Sequence, residues 1–138
     1  MTTMPSVYFL CNSNRGKSQM AEALARKHAP EWETYSAGVK VTKSGAEGEV
    51  NQESVEALAE VGADMTHGRA EAVDPQLLRS VDHVVIVGGA ELDWPEDATG
   101  KLERWEVSEP VDQDIHGMER MRIIRDEIDA HVRGLVGK

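Results

Sequence analysis

Apolar and polar residues along this chain alternate between strand-like runs and helix-like spacings. Short apolar runs at residues 7–10 and 81–87 are typical of buried strands, and residues 32–37 and 101–107 give weaker signals of the same kind. Helical spacing marks residues 19–28 and, most clearly, the end of the chain. The stripe of that closing helix consists of Met121, Ile124, Ile128, Val132 and Leu135.

Two further helices are indicated by residues that favour helix ends. Asn51 is a good N-cap for a helix with three apolar residues at helical spacing, and Gly62 suits its C-terminal end. Asp74 followed by Pro75 combines a capping residue with a proline at the first helical position. The chain between residues 40 and 48 is rich in glycine and is predicted to be a loop.

Strands that alternate with helices favour the α/β class. We expect one domain over residues 1–138, in which a parallel sheet carries helices on both faces, because the sequence contains no repeat and no linker. Ligands of such sheets bind beyond the carboxyl ends of the strands, and residues 11–18 follow the first strand.

Composition narrows the compartment and the partners. The 138 residues are 40% hydrophobic, and neither a signal peptide nor a membrane-spanning run is recognisable, so we expect a cytoplasmic protein. Residues 1–48 carry a net charge of +2 and the remainder −12, which disfavours nucleic acid and anionic membranes as partners. We expect no metal centre and no tightly bound cofactor.

The stretch from residue 11 to residue 18 carries the candidate chemistry. A strand that leads through a loop into a helix directs backbone N–H groups and the positive helix end at the loop, where an oxyanion can bind. The same charges, with Arg15 and Lys17, favour the thiolate form of Cys11, and the Ser18 hydroxyl can hydrogen-bond it. The alternative is that this single cysteine is only a small buried apolar residue. A nucleotide-binding loop is excluded because it requires glycine where Cys11 stands.

These residues also support a family resemblance. Residues 11–18 (Cys-Asn-Ser-Asn-Arg-Gly-Lys-Ser), followed by Gln-Met-Ala-Glu-Ala, resemble the anion loop of the low-molecular-weight phosphatase superfamily. The Ser-Gln-Met-Ala run is similar to arsenate reductases rather than tyrosine phosphatases. The resemblance continues through residues 35–38, 60–65 and 117–122 and covers nearly the whole chain. It is strongest to the actinobacterial arsenate–mycothiol transferases, whose loop has lysine in place of arginine, as at Lys17.

The resemblance implies a phosphatase-like fold and an anion site around Cys11. A mid-loop amide such as Asn14 can brace the loop, and Gly16 allows the backbone to approach the anion. Lys17 offers a point charge where arginine would grip two oxygens, which disfavours phosphoester cleavage. The expected substrate-binding residues are Asn12, Ser13, Asn14, Arg15, Gly16, Lys17 and Ser18.

Replacing an oxygen of arsenate requires an acid that protonates it. Members of the superfamily carry this acid in an Asp-Pro loop after the last strand, and the corresponding stretch here contains Glu109-Pro110 instead. Glu109 is therefore the candidate acid, with Asp112 and Asp114 as alternatives. The predicted catalytic residues are Cys11, Lys17 and Glu109.

The cysteine count decides which thiol chemistry is open to the chain. A single cysteine cannot relay oxidation through an internal disulfide, so an external thiol must supply the second sulfur. The resemblance implies that this thiol is mycothiol and that a glutaredoxin-like mycoredoxin then releases arsenite. Whether Cys11 or mycothiol attacks arsenic first stays open. One alternative function is a low-molecular-weight tyrosine phosphatase, which is disfavoured because the chain has only six aromatic residues to form a tyrosine pocket. The other is a non-catalytic oxyanion sensor.

Overall fold

The computed structural model describes residues 4–14, 16–41, 51–66, 68, 70–108 and 110–137, with the backbone alone at 111 and 112. Arg15, the predicted loop from residue 42 onward and Glu109 lie outside the described residues. None of the described helices combines the length and apolar character needed to cross a membrane. The elements are β1 Ser6–Cys11, α1 Lys17–His28, β2 Glu33–Gly38, α2 Gln52–Ala59, α3 Pro75–Ser80, β3 His83–Val87, β4 Lys101–Trp105, a 3-10 turn Pro110–Gln113 and α4 Gly117–Val136.

The four strands form one parallel sheet in the order β2-β1-β3-β4. Alternate residues of β1 face opposite sides of this sheet: Val7 and Phe9 pack with α1, α2 and α4, whereas Tyr8 and Leu10 pack with α3. Helices therefore cover both faces, and the predicted single-domain α/β class is confirmed. Because β1 is central, its carboxyl end opens into the middle of one sheet edge.

Several element boundaries differ from the predictions by one or two residues. α1 begins at Lys17 rather than at residue 19, because Met20 N donates to Gly16 O at 2.9 Å and closes the first turn. Lys17 and Ser18 thus belong to the helix, not to the loop. β3 begins at His83 because Val81 still caps α3, with its N–H bonded to Leu77 O at 3.1 Å.

The predicted helix caps are confirmed. The side chain of Asn51 accepts from Ser54 N at 2.9 Å, and Asp74 accepts from Gln76 N at 3.0 Å. At the end of α2, Gly62 has a φ of +79°, and the N–H of Ala63 reaches back to Leu58 O at 3.0 Å. This arrangement is a Schellman turn, for which glycine is the preferred residue.

Helix α4 packs along α1 and α2, with its predicted apolar stripe against the core. Two of its arginines also hold α2: Arg122 Nη2 and Arg125 Nη1 lie 2.7 and 2.8 Å from the carboxylate oxygens of Glu60. Arg125 Nη1 additionally donates to Ala57 O at 2.9 Å. Hydrogen bonds from Arg122 and then Arg125 lower the pKa of Glu60 from 4.5 to about 2. This ion-pair cluster joins the two helices that form one wall of the site.

Candidate active site

Cys11 is the last residue of β1, and the residue is 7% exposed. It lies at a cavity of about 440 Å³ whose lining also includes Asn12, Ser13 and Gly16 from the following loop and Lys17 from α1. The structure therefore brings five of the predicted loop residues together around one opening. Their roles in binding and catalysis stay predictions.

Two polar groups among the described residues lie within hydrogen-bonding distance of the Cys11 sulfur. Asn14 N donates to Sγ at 3.2 Å, and Ser18 Oγ lies 3.0 Å from Sγ. Ser18 Oγ already accepts a hydrogen bond from Asn14 Nδ2 at 2.7 Å, so its own proton is available to the sulfur. Because a thiolate has no proton to give, Ser18 must be the donor when Cys11 is ionised.

Asn14 is completely buried and has a φ of +57°, a left-handed conformation that asparagine tolerates better than most residues. Its Oδ1 accepts from Glu71 N at 2.9 Å, which fixes the orientation of the amide and aims Nδ2 at Ser18. Its backbone carbonyl accepts from Gln19 Nε2 at 2.6 Å. The bracing role predicted for this amide thus has a definite geometry: it connects the loop to α1 and to residue 71.

The end of β2 lies directly against the start of the loop. Val39 N donates to Cys11 O and Lys40 N donates to Asn12 O, each at 2.9 Å. A Cβ at Gly38 would lie 2.6 Å from Asn12 O, which is too close for any other residue. The missing side chain of Gly38 therefore lets the strand and the loop approach each other.

The remaining walls of the cavity come from parts of the chain that the sequence did not connect with the site. α2 contributes Ser54 and its cap Asn51, and α4 contributes Arg120 and Met121. The segment after β3 contributes Gly89, and a Cβ at the adjacent Gly88 would lie 3.6 Å from Lys17 Nζ. These positions are separated widely in sequence. The packing of α2 and α4 on α1 and the pairing of β3 with β1 bring them together.

The acid predicted for the reaction is not located. Glu109 and the side chain of Asp112 lie outside the described part of the chain. Asp114 is described: its side chain is 97% exposed and lies 3.0 Å from His116 Nε2. It is not among the described residues that line the Cys11 cavity, so the alternative that Asp114 is the acid loses support.

A second, larger cavity of about 790 Å³ does not include Cys11 in its described lining. There Glu22 accepts a hydrogen bond from Ser36 Oγ at 2.8 Å and pairs with Arg26 at 3.1 Å. Burial raises the pKa of Glu22, and burial also raises the pKa of Tyr8 on the same lining. The smaller cavity is the candidate active site because it combines the thiol with cationic side chains.

A family model described as low molecular weight phosphotyrosine protein phosphatase matches residues 6–138. The chain belongs to this family. One of its curated relatives, an arsenate reductase of Halalkalibacterium halodurans, is 33% identical to it. The match covers 92% of this chain and 91% of the relative.

Solved structures show the same phosphatase fold. A tyrosine phosphatase of Erwinia amylovora superposes with a TM-score of 0.80 at 17% identity, over 97% of this chain and 92% of that one. A thioredoxin-dependent arsenate reductase of Corynebacterium glutamicum superposes with a TM-score of 0.76 at 25% identity, over 99% of this chain and 62% of that one. The fold is thus shared by proteins with two different activities, and the residues at the site must distinguish them.

Proposed function

We propose that this protein is a single-cysteine arsenate reductase that works with an external thiol. The observation that carries the proposal is the environment of Cys11: its sulfur is within reach of Ser18 Oγ and Asn14 N, at a cavity lined by Lys17 and Arg120. Hydrogen-bond donors at the sulfur stabilise a thiolate, and cations at the opening favour a tetrahedral oxyanion. Curated relatives named arsenate reductases support arsenate as that anion.

The proposed chemistry needs two thiols for each arsenate. In the first step a thiol sulfur bonds to arsenic and one arsenate oxygen, protonated by an acid, leaves as water. In the second step another thiol attacks this sulfur, the sulfur–arsenic bonding pair stays on arsenic, and arsenite and a disulfide are formed. Two thiols lose two electrons in total, which match the reduction of As(V) to As(III). Glu109 is the proposed acid of the first step.

The source of the second sulfur follows from the cysteine count. The chain contains one cysteine, so the disulfide must join it, or a bound thiol, to a sulfur from elsewhere. We propose mycothiol as co-substrate and mycoredoxin as the partner that releases arsenite, on the resemblance in residues 11–23. A cytoplasmic location is part of the proposal, because cytosolic reductants keep thiols reduced.

The test compares three reducing systems with the same enzyme and arsenate: thioredoxin with its reductase, glutathione with glutaredoxin, and mycothiol with mycoredoxin. Arsenite formation is measured in each. We expect turnover with mycothiol and mycoredoxin and none with thioredoxin. Turnover with thioredoxin alone would contradict the need for a small external thiol, whereas turnover with glutathione and not mycothiol would contradict only the identity of that thiol.

Cys11→Ser decides which sulfur attacks first. Serine keeps a hydroxyl at the end of β1 but removes the thiolate nucleophile. Complete loss of arsenite formation is expected if Cys11 forms the first bond to arsenic. Retained formation of an arsenic–mycothiol adduct in this variant would show direct attack by mycothiol.

The family name makes aryl phosphate hydrolysis the second candidate activity. Lys17 disfavours it, because an ammonium group lacks the two parallel donors that clamp a transferring phosphoryl group. We expect Lys17→Arg to retain arsenate binding and to raise aryl phosphate hydrolysis above that of the wild type. A folded Lys17→Arg variant with unchanged or lower hydrolysis would show that this residue does not set the preference.

A further inference from the structure

Arg120 lies in the first turn of α4 and lines the same cavity as Cys11 and Lys17. Its Nε atom is buried and has no hydrogen-bond partner among the described residues. A buried N–H donor is normally satisfied, so the unsatisfied Nε indicates that this side chain shifts or gains a partner when the cavity is occupied.

Other arginines of α4 behave differently. Arg122 and Arg125 are paired with Glu60 at 2.7 and 2.8 Å, and Arg133 Nε lies 3.4 Å from Asp129. Each of these three arginines thus forms an ion pair within the fold. Arg120 is the one whose Nε has no such partner among the described residues.

The neighbouring polar groups on the cavity wall do not supply the missing acceptor. Asn51 Oδ1 is occupied by two donors from Ser54, the backbone N at 2.9 Å and Oγ at 3.2 Å. The hydroxyl of Ser54 also lies 3.4 Å from the sulfur of Met121. These two residues of the cavity lining thus bond to each other, and no described hydrogen bond joins them to Arg120.

We propose that Arg120 is a second anion-binding residue of the site, which contacts the tetrahedral oxyanion with its guanidinium group. An arginine can present two parallel N–H donors to two oxygens of one anion, whereas Lys17 supplies a compact charge. Arg120 on α4 thus provides the two parallel donors that a lysine at position 17 lacks. This inference rests on the proposed function, because it takes the cavity above Cys11 as the anion site.

The test measures anion binding without turnover. Inorganic phosphate or arsenate bound over Cys11 should protect the thiol from iodoacetamide, and the anion concentration that halves the alkylation rate is determined for each variant. Using this half-protecting concentration removes any difference in the reactivity of the free thiol. Arg120→Met removes the charge and the two parallel donors, and Arg120→Lys keeps the charge alone. Arg133→Met is the matched control, since it removes the same charge from the far end of the same helix.

We expect Arg120→Met to need about tenfold more phosphate or arsenate, in line with the loss of hydrogen bonds to a charged group, with Arg120→Lys between it and the wild type. Arg133→Met should match the wild type. Equal protection in the wild type and both Arg120 variants would overturn the role of Arg120 and leave the proposed function standing. Absence of protection in the wild type by either anion would overturn both.

Discussion

Asn14 Nδ2 donates a hydrogen bond to Ser18 Oγ at 2.7 Å, and this contact determines where the serine proton can go. One lone pair of the hydroxyl is occupied by the amide, so the O–H bond is free to point at the sulfur 3.0 Å away. A chain of hydrogen bonds therefore runs from the backbone N–H of Glu71 through the side chains of Asn14 and Ser18 to the sulfur.

Removing the hydroxyl of Ser18 should make the thiolate form of Cys11 less stable. In Ser18→Ala the sulfur loses one donor, and the rate of iodoacetamide alkylation at neutral pH should fall about tenfold, the expected effect of one hydrogen bond to a charged group. Ser80→Ala is a matched control, because its hydroxyl donates to Leu77 O on the exposed side of α3. Equal alkylation rates in the two variants would contradict the donor role of Ser18.

Asn14 should contribute to stability in two separable ways. Asn14→Gly keeps access to the left-handed conformation but loses both amide hydrogen bonds, and we expect the free energy of unfolding to fall by about 1–3 kcal/mol. Asn14→Ala should lose a further 1–2 kcal/mol or so, because alanine is strained at this φ. Urea denaturation of the two variants measures both values. An alanine variant as stable as the glycine variant would show that the backbone conformation carries no cost.

Gly38 and Gly134 should respond in opposite directions to the same substitution. Gly38→Ala places a methyl group 2.6 Å from Asn12 O and should destabilise the protein by about 1–3 kcal/mol while it displaces the loop. Gly134 lies inside α4 with nothing within 4 Å of an added Cβ, so Gly134→Ala should stabilise by about 0.5–1 kcal/mol. Thermal unfolding of both variants checks the signs, and a stabilising Gly38→Ala would contradict the described approach of β2 to the loop.

Low pH should weaken the ion pairs of Glu60 that join α2 and α4. Arg122 and Arg125 lower the pKa of Glu60 from 4.5 to about 2, so its carboxylate stabilises the fold fully above pH 4.5, and this contribution is lost as the pH falls through about 2. The difference in thermal stability between wild type and Glu60→Gln should be constant near neutral pH and shrink below pH 4.5. Glu56→Gln, on the exposed side of the same helix, provides the control. A difference that does not change with pH would show that the ion pairs contribute nothing.

The core fold could be predicted because its signals are local. The run at residues 7–10, the Asn51 and Asp74 caps and the stripe of α4 each depend on neighbours within one or two turns. The loop around Cys11 is equally local, since Ser18 and Asn14 reach the sulfur from within seven residues. Small boundary errors arose where a hydrogen bond of one turn, as at Met20, extended an element.

The opposite wall of the site could not be predicted, because it depends on how helices dock. Arg120 lies 109 positions from Cys11 in the sequence, and whether it faces the cavity is set by the packing of α4. The pairing of Arg125 with Glu60 helps to set that packing, and ion pairs of this kind leave no periodic signal. The close approach of Gly38 to Asn12 is likewise a tertiary contact, which the sequence does not indicate.

The contacts among Cys11, Asn12, Gly38 and the backbone of residues 39 and 40 tie the first part of the loop to the sheet. Because this backbone is already held in place, an arriving anion does not have to order it, and little conformational entropy is lost on binding. Affinity then depends mainly on charge and on the displacement of water. Binding of phosphate or arsenate should accordingly weaken steeply as ionic strength rises, while residues 11–14 keep the same backbone conformation with and without the anion.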